Sequence, residues 1–392
     1  MKKRTSFLTI SALLLAIVCG LLFKEKVTAI DFIGTIYINL LKFMIGPIVF
    51  TSIAETIYDS SRKRGHLIVK SVLIFTVMFL ATFFLTSILV LIINPAKGFT
   101  FELSDYEGAL GSLSIKDIII NLFPTNLISM FQANQLFAII FFAYLVGYCA
   151  TKAEKGDAVI DVIKGFKNVL FKLLEYIMYL TPLAVFSLMS NTIAKYGAVV
   201  FEVGIKYILT AYLAGFVTII VIMILPVWVF AKMNPFTFVK KTYKIWLITV
   251  TTCSSAATLP TTMKVCKEDL NIDKEITDIV VPLGCTIHMC GGAVSFALLG
   301  LFCSSLFGIE VNLTTYIIMI VASLLINMSA PGIPNGGVVI GATYLQLLGI
   351  PLDFIGFYSG IYKILDMLYT TLNVSGDITA NVIINYSENK GK

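Results

Sequence analysis

The sequence predicts an all-α polytopic membrane protein with eight transmembrane helices and two re-entrant helical hairpins. Of its 392 residues, 58% are hydrophobic and only 13% are charged, whereas a soluble domain carries about a quarter charged residues. Long apolar segments follow one another along the whole chain, and runs of about 18 or more apolar residues are typical of membrane-spanning helices. Two late segments are interrupted by residues that a continuous helix does not tolerate.

Six membrane spans are predicted between residues 6 and 231. Their apolar segments are 6–23, 32–57, 70–95, 124–150, 168–194 and 207–231. The first segment follows a basic flank at residues 2–4 and so imitates a secretory signal peptide. We expect it to remain as the first span, because it lacks a small-x-small cleavage site and further membrane segments follow it.

The charges of the loops predict the orientation of these spans. Clusters of lysine and arginine at 2–4, 62–64, 152–167 and 232–244 fall on one side of the membrane, whereas the loop at 97–110 is acidic. Because cytoplasmic loops carry an excess of lysine and arginine, we expect both termini to be cytoplasmic in a multi-pass cell-membrane protein. The net charge of +6 is therefore explained by these basic loops and does not point to a nucleic-acid partner. We expect the protein to be surrounded by membrane lipid.

Two hairpins are predicted after residue 231. The segment 245–263 is broken at Ser254–Ala257 and contains Pro260, and the segment 312–350 is interrupted at Ser329–Gly337 by two prolines and three glycines. A re-entrant hairpin, which enters and leaves on the same side of the membrane, accommodates such breaks where protein or water satisfies the backbone. Paired interrupted segments are typical of the central site of a transporter.

The seventh and eighth spans are predicted at 279–307 and 354–384. The eighth carries polar residues three or four positions apart, which places them on one face of a helix. They are Asp366, Tyr369, Thr370, Asn373 and Asp377. Each carboxylate within a span costs at least ~2.5 kcal/mol, so we expect this face to meet a cavity, an ion or a ligand. The alternative, a buried Asp366 paired with Lys363, leaves Asn373 and Asp377 unexplained.

The first hairpin and the seventh span supply further candidate residues. Ser254 and Ser255 offer hydroxyls and backbone N–H groups that can hold a carboxylate, although small residues at this position also suit a plain helix contact. The adjacent Gly291 and Gly292 permit the seventh span to unwind and expose carbonyls to a cation. His288 is either a proton carrier or a neutral histidine bonded to a backbone carbonyl.

Enzyme and metal chemistry are less well supported by the sequence. Its seven cysteines lie mostly in apolar segments and show no disulfide spacing. Cys253, His288 and Cys290 could together bind a soft metal, but their spacing matches no standard site. No nucleophile stands in a catalytic motif, so we predict no enzyme and no organic cofactor.

Several stretches taken together resemble the dicarboxylate/amino acid:cation symporters, the family of glutamate-transporter homologues. The resemblance covers nearly the whole chain and lies in Gly46–Phe50, Pro124–Asn126, Ser254–Pro260, Pro331–Gly337, Leu365–Met367 and Asn373–Asp377. It implies a homotrimer that works by an elevator mechanism. In that arrangement residues 1–66 and 97–196 form a scaffold, and 67–96 and 197–392 form a moving transport unit that includes the hairpins 236–266 and 311–350.

The resemblance also implies roles for the candidate residues. Asp366 would hold the amino group of an α-amino acid, and Asn373 with Ser254 and Ser255 would hold its carboxylate. The rest of the substrate site would come from Tyr369, Thr370, Pro331 and Gly332. Sodium would be bound by Asp377 and Asn373, with the backbone near Gly284, Thr286 and His288 taking part in cation binding or coupling.

This chain departs from the family at two places. Acidic-substrate members carry an arginine at the position of Tyr369, and others at Cys253 or Tyr362; because tyrosine cannot replace a bidentate arginine–carboxylate pair, we predict a neutral substrate with an aromatic, polar or sulfur-containing side chain. In the seventh span His288–Gly292 replaces Asn-Met-Asp-Gly-Thr, and Met78 and Phe79 replace sodium-binding hydroxyls. One sodium site is thus predicted to be lost, and coupling to be reduced, moved to protons through His288, or absent.

The sequence therefore predicts a secondary active transporter of a neutral α-amino acid, with sodium as the candidate ion. One alternative is a carrier for a carboxylate that lacks an amino group. Another is a non-transporting membrane sensor, although the chain has no soluble output domain.

Overall fold

The computed structural model describes residues 2–61, 65–99, 120, 123–132, 135–197, 199–327, 336–350 and 352–389. Every regular element in these residues is helical. The α-helices among them are α1 (Lys2–Phe23), α2 (Asp31–Ser61), α3 (Gly65–Ile93), α4 (Leu127–Gln132), α5 (Leu136–Ala150), α6 (Gly156–Met178), α7 (Thr181–Tyr196), α8 (Val199–Thr218), α9 (Leu225–Ala231), α10 (Pro235–Thr252), α11 (Ser255–Lys264), α12 (Lys274–Ile287), α13 (Cys290–Leu306), α14 (Leu313–Asn327), α15 (Gly336–Leu347) and α16 (Asp353–Asn389).

Four helical stretches in the described part of the chain are long and apolar enough to cross a membrane. They are Lys26–Asp59, His66–Ile93, Phe201–Ala231 and Lys274–Leu306. The bent pair α6–α7 raises the number to five, and several apolar helices of 10–17 residues accompany them. These lengths and compositions indicate a multi-pass helical membrane protein.

The predicted fifth span at 168–194 is a bent helix pair. α6 already begins at Gly156, and α7 follows it at an angle of 53° after a break at Tyr179 and Leu180. Pro182 lies in the first turn of α7, where its missing N–H costs nothing because that group would be unbonded anyway. The sequence position of Pro182 thus marks the bend, which the apolar pattern alone does not.

The segment 207–231 forms one long helical stretch with an irregular middle. α8 passes through a π-helical turn at Ile219–Ile224 into α9. Pro226 stands in the first turn of α9, and a π turn is a common way to absorb a proline within a continuous helix.

The first predicted hairpin is a helix–turn–helix, α10 to α11. Asn234 caps α10 by accepting hydrogen bonds from the N–H groups of Phe236 and Thr237, at 2.9 and 3.4 Å. The turn falls at Cys253, which has a left-handed φ of 49°, and Ser254. Pro260 does not end α11, which continues to Lys264.

The last third of the chain is organised around α16, a helix of 37 residues. The predicted interruption of the seventh span falls at His288 and Met289, between α12 and α13. α14 and α15 flank the predicted tip of the second hairpin and pack against each other. Helices α10 to α13 and α15 all contact α16, so the broken segments meet around one helix.

Candidate functional site

A cavity lies where the broken helices meet α16, with about 530 Å³ of empty space that is partly open to solvent. Five elements contribute to its wall. The lining residues are Cys253, Ser255, Met289, Gly292, Ser295, Phe296, Asn327, Gly337, Ile340, Tyr362, Asp366, Tyr369, Thr370 and Asn373. The residues from α16 are three or four positions apart, so one face of that helix forms the floor of the cavity.

Asp366 provides the only carboxylate among these lining residues. It is buried, and Thr370 Oγ1 donates a hydrogen bond to its Oδ1 at 3.3 Å. Tyr369 on the same turn is buried beside it. The candidates Asp366, Tyr369, Thr370 and Asn373 thus reach one wall, as their spacing predicts.

The first hairpin is fastened to α16 by side-chain hydrogen bonds. Trp246 Nε1 donates to Ser375 Oγ at 2.9 Å, and the hydroxyls of Thr249 and Thr371 lie 2.8 Å apart. These contacts hold the turn at Cys253 against the cavity. The turn brings Ser255 into the lining.

Ser254 stabilises this turn through two hydrogen bonds. Its Oγ accepts a hydrogen bond from the N–H of Ala257 at 3.2 Å, which caps α11. Its carbonyl accepts one from Thr258 Oγ1 at 2.8 Å. Ser254 is buried but does not line the cavity, so the two predicted serines differ in position.

Asn373 joins the cavity to the break in the seventh span. Its Oδ1 accepts a hydrogen bond from the N–H of Gly291 at 2.8 Å. Only glycine fits at 291, since a Cβ there would lie 2.2 Å from the carbonyl oxygen of Tyr369. The amide oxygen of Asn373 thus holds α13 against α16, while its side chain still lines the cavity.

Asp377 lies deeper and does not line this cavity. Its Oδ1 is 2.9 Å from His288 Nδ1, and both side chains are almost fully buried. Nε2 of the same ring is 3.1 Å from Cys290 Sγ. If the carboxylate is ionised, Nδ1 carries the proton and Nε2 accepts from the thiol. Among the described residues, the ring therefore bonds to two side chains and to no backbone carbonyl.

The space for the imidazole is created by its neighbours. The ring stacks on Phe75, with centroids 4.5 Å apart and planes 11° from parallel. A Cβ on Gly376 would lie 2.4 Å from His288 Cε1, and a Cβ on Gly284 would lie 2.4 Å from Asp377 Oδ1. Two glycines thus admit this buried pair.

The other predicted cation residues are placed differently. The carbonyl of Gly284 accepts the backbone N–H of His288 at 2.8 Å, which ends α12. Thr286 is exposed and donates to the carbonyl of Leu283 at 2.7 Å. It lines a separate cavity together with Glu55, Asp59 and Lys167 and does not join Asp377. Pro331 and Gly332 lie outside the described residues.

Sequence reasoning missed Asn327 and Ser295 as cavity residues. Asn327 is 2% exposed, and its Oδ1 has no hydrogen-bond partner in the described part of the chain. Its signal was an isolated amide at the end of an apolar helix, directly before the predicted tip. Ser295 bonds Tyr358, with 2.7 Å between the hydroxyl oxygens.

The soft-metal alternative finds no support here. Among the described residues there is no group of three or more histidine, cysteine, aspartate or glutamate side chains that could hold a metal ion. Cys253 lies at the cavity, whereas His288 and Cys290 are bonded to each other below it.

Comparisons with known proteins identify a family of transport proteins. The family model for the sodium:dicarboxylate symporters matches residues 6–387. The proton/glutamate-aspartate symporter of Bacillus subtilis (strain 168) is 27% identical over 398 residues, covering 98% of this chain and 95% of the relative. The proton/sodium-glutamate symport protein of Geobacillus stearothermophilus is 26% identical, with 97% and 94% covered. The C4-dicarboxylate transport protein of Bacillus subtilis (strain 168) is 25% identical, with 99% and 94% covered.

Proposed function

The chain belongs to the sodium:dicarboxylate symporter family, and from this premise we propose that it is a secondary active transporter of a neutral α-amino acid. Its relatives are named as symporters and as transport proteins, so a transport role, and no enzymatic one, is the starting point. What distinguishes this chain from those relatives is the chemistry of the cavity.

The observation that carries the proposal is a cavity with one carboxylate and no cationic side chain among its lining residues. Asp366 can pair with the ammonium group of an amino acid, and the amide of Asn373, Thr370 and Ser255 can bond its carboxylate. Lys363 interacts with the Cys253 thiol and is absent from the lining. The undescribed stretch 328–335 contains no lysine or arginine.

A second carboxylate on the substrate would have no counter-charge in this cavity. The relatives are named for glutamate, aspartate and C4-dicarboxylates, all of which carry two carboxylates. Because a buried charge without a partner is strongly unfavourable, we infer that the substrate side chain of this protein is neutral.

We further propose that His288 takes the place of sodium at Asp377. A sodium ion needs several hard oxygen ligands, but Asp377 is bonded to an imidazole, and Cys290 and Phe75, which contact that imidazole, supply no oxygen from their side chains. The residues at this position therefore do not suit sodium. Transport is then coupled to fewer ions or to a different ion. Uptake measured first with a sodium gradient and then with a proton gradient separates these cases.

The same premise supports a proposed architecture. Eight spans and two re-entrant hairpins, with cytoplasmic termini, would form a scaffold of residues 1–66 and 97–196 and a moving unit of 67–96 and 197–392. The packing of α10 to α13 around α16 and of α2 against α5, α6 and α7 supports such a division.

A homotrimer is also proposed, and a surface stripe on α6 supports it. Six exposed apolar side chains follow alternating intervals of three and four residues, the spacing of a helix-packing seam. They are Val159, Val162, Phe166, Val169, Leu173 and Tyr176.

The test of the transport proposal is binding followed by counterflow. Purified protein is screened by thermal shift against the amino acids and against succinate and malate, since a ligand of the folded state raises its apparent stability. Neutral amino acids should stabilise it, and proteoliposomes loaded with the best ligand should accumulate the labelled form. Stabilisation by dicarboxylates alone would favour a carrier for carboxylates without an amino group, and binding without counterflow would favour a sensor.

Asp366→Asn tests the assigned role of the carboxylate. The loss of a charge-assisted bond should weaken amino-acid binding about 10- to 100-fold. Asp278→Asn, which removes a carboxylate paired with Lys267 outside the cavity, is the matched control. Unchanged affinity in Asp366→Asn would show that this carboxylate does not bind the amino group.

A further inference from the structure

We propose that the transported amino acid has an uncharged, hydrogen-bonding side chain, a carboxamide or a hydroxyl, that bonds to the Tyr369 hydroxyl and the Asn327 amide. This inference rests on the proposed transport of a neutral amino acid and names the substrate class. The sequence resemblance gives Asn327 no role, and it places Tyr369 in the substrate site without naming the group that its hydroxyl bonds.

Two buried polar atoms without partners point to the ligand. Tyr369 is 3% exposed and Asn327 is 2% exposed, and both line the cavity. The Ser295 and Tyr207 side chains lie beside Tyr369 Oη, but within the described residues neither has the geometry of a good hydrogen bond to it, and Asn327 Oδ1 has no partner there either. Because buried polar groups are nearly always bonded, a ligand that supplies both bonds explains why they are here.

The surrounding structure fixes both groups at the cavity. The ring of Tyr369 packs 6.3 Å from that of Tyr362, and its backbone is pressed against Gly291. Asn327 lies against Gly292, where a Cβ would come within 2.3 Å of Oδ1. The close approach of each residue to α13 therefore depends on one glycine, Gly291 for Tyr369 and Gly292 for Asn327.

The chemistry of the two groups selects the side chain. A tyrosine hydroxyl and an asparagine amide each donate and accept hydrogen bonds, as carboxamides and hydroxyls do. The adjacent Met289, Phe296 and Ile340 suit the methylene part of the same side chain. An aliphatic side chain would leave both polar groups unbonded, and a site built to bond a polar substrate discriminates against such analogues.

The first experiment compares amino acids of nearly equal shape on the wild-type protein. Dissociation constants are measured by calorimetry for glutamine against methionine, asparagine against leucine, threonine against valine, and serine against alanine. In at least one pair the polar member should bind about tenfold more tightly. Equal or tighter binding of the apolar member in all four pairs would overturn the inference.

The second experiment assigns the preference to residues. Tyr369→Phe, which keeps the ring, and Asn327→Leu should each reduce the polar-to-apolar affinity ratio about tenfold. Tyr344→Phe is the control, because its hydroxyl lies 3.4 Å from the Met319 carbonyl and away from the cavity. A merely structural role would weaken both members of a pair equally and leave the ratio unchanged, which would also overturn the assignment.

The outcomes separate this inference from the proposed function. If neutral amino acids bind without any polar preference, the transport proposal stands and the substrate class is wrong. If no amino acid binds at all, the transport proposal fails, and this inference fails with it.

Discussion

At the level of single residues, the contacts of His288 decide what the candidate cation site around Asp377 can bind. Its ring bonds Asp377 on one side and Cys290 on the other and stacks on Phe75. Both His288 and Asp377 are buried, and leaving one of them without its hydrogen-bond partner typically costs about 1–3 kcal/mol. The pair is therefore a part of the folded structure as well as a candidate for coupling.

A sodium test follows from this geometry. The melting temperature of the wild-type protein should respond equally to sodium and potassium at one ionic strength. His288→Ala should melt at a lower temperature, and sodium should restore part of the loss by binding to the vacated carboxylate. The double variant His288→Ala with Asp377→Asn is the control, since it lacks the charge that would attract the ion. A wild-type protein stabilised by sodium alone would contradict the replacement.

The sequence predicted the residues of one helix face but not their partners in space. Asp366, Tyr369, Thr370 and Asn373 share a wall because the spacing along α16 requires it. Asn327 could not be placed beside them, because its approach depends on how α14 packs and on the absence of a side chain at Gly292. For the same reason the pairing of Asp377 with His288 was not foreseen.

Among the elements, the first hairpin is attached to α16 by side-chain hydrogen bonds. Bonds from Trp246 and Thr249 to Ser375 and Thr371 place its turn over the cavity. The breaks of this hairpin and of the seventh span were predictable from glycine, serine and proline. The bend between α6 and α7 was not predicted, because the apolar pattern continues through it and only Pro182 marks its position.

Trp246→Phe should loosen this hairpin without changing the cavity lining. Loss of one hydrogen bond should destabilise the attachment by about 0.5–1.5 kcal/mol, and amide exchange should quicken in α10 and α11. Trp228→Phe is the control, because Trp228 is exposed on α9. Equal exchange in the two variants would show that the Trp246–Ser375 bond does not hold the hairpin.

At the scale of the whole molecule, Glu388 near the end of α16 binds the start of α3. Lys70 Nζ lies 2.5 Å from its Oε1, and His66 Nε2 lies 3.4 Å from its Oε2. The hydrogen bond from Lys70, followed by its charge and the bond from His66, lowers the pKa of Glu388 below its ordinary value of 4.5.

This contact should give a small acid dependence. Because the pKa is lowered in the folded state, the stabilisation is complete above pH 4.5 and is lost as the pH falls through the lowered value. It should stay below about 1 kcal/mol, as for exposed ion pairs. Melting curves between pH 7 and pH 3 should fall less steeply for Glu388→Gln than for the wild type, and identical curves would exclude the effect.

Assembly can be tested on the stripe of α6. Val162→Trp should shift the purified protein toward monomers, because a bulky side chain does not fit a packed helix seam. Leu209→Trp is the control, since Leu209 is similarly exposed on α8 and lies outside the stripe. Light scattering of the two proteins in detergent gives the masses, and equal masses would argue against this surface as the subunit contact.

Two glycines set how much room the buried pair of His288 and Asp377 has. A Cβ at 376 would lie 2.4 Å from the imidazole, and a Cβ at 284 would lie 2.4 Å from the Asp377 carboxylate. A larger residue at 376 is therefore incompatible with this placement of the histidine, and a larger residue at 284 is incompatible with this placement of the aspartate. Engineering an oxygen-rich ion site here thus begins with replacing His288, because neither glycine can take an oxygen-bearing side chain while the pair is in place.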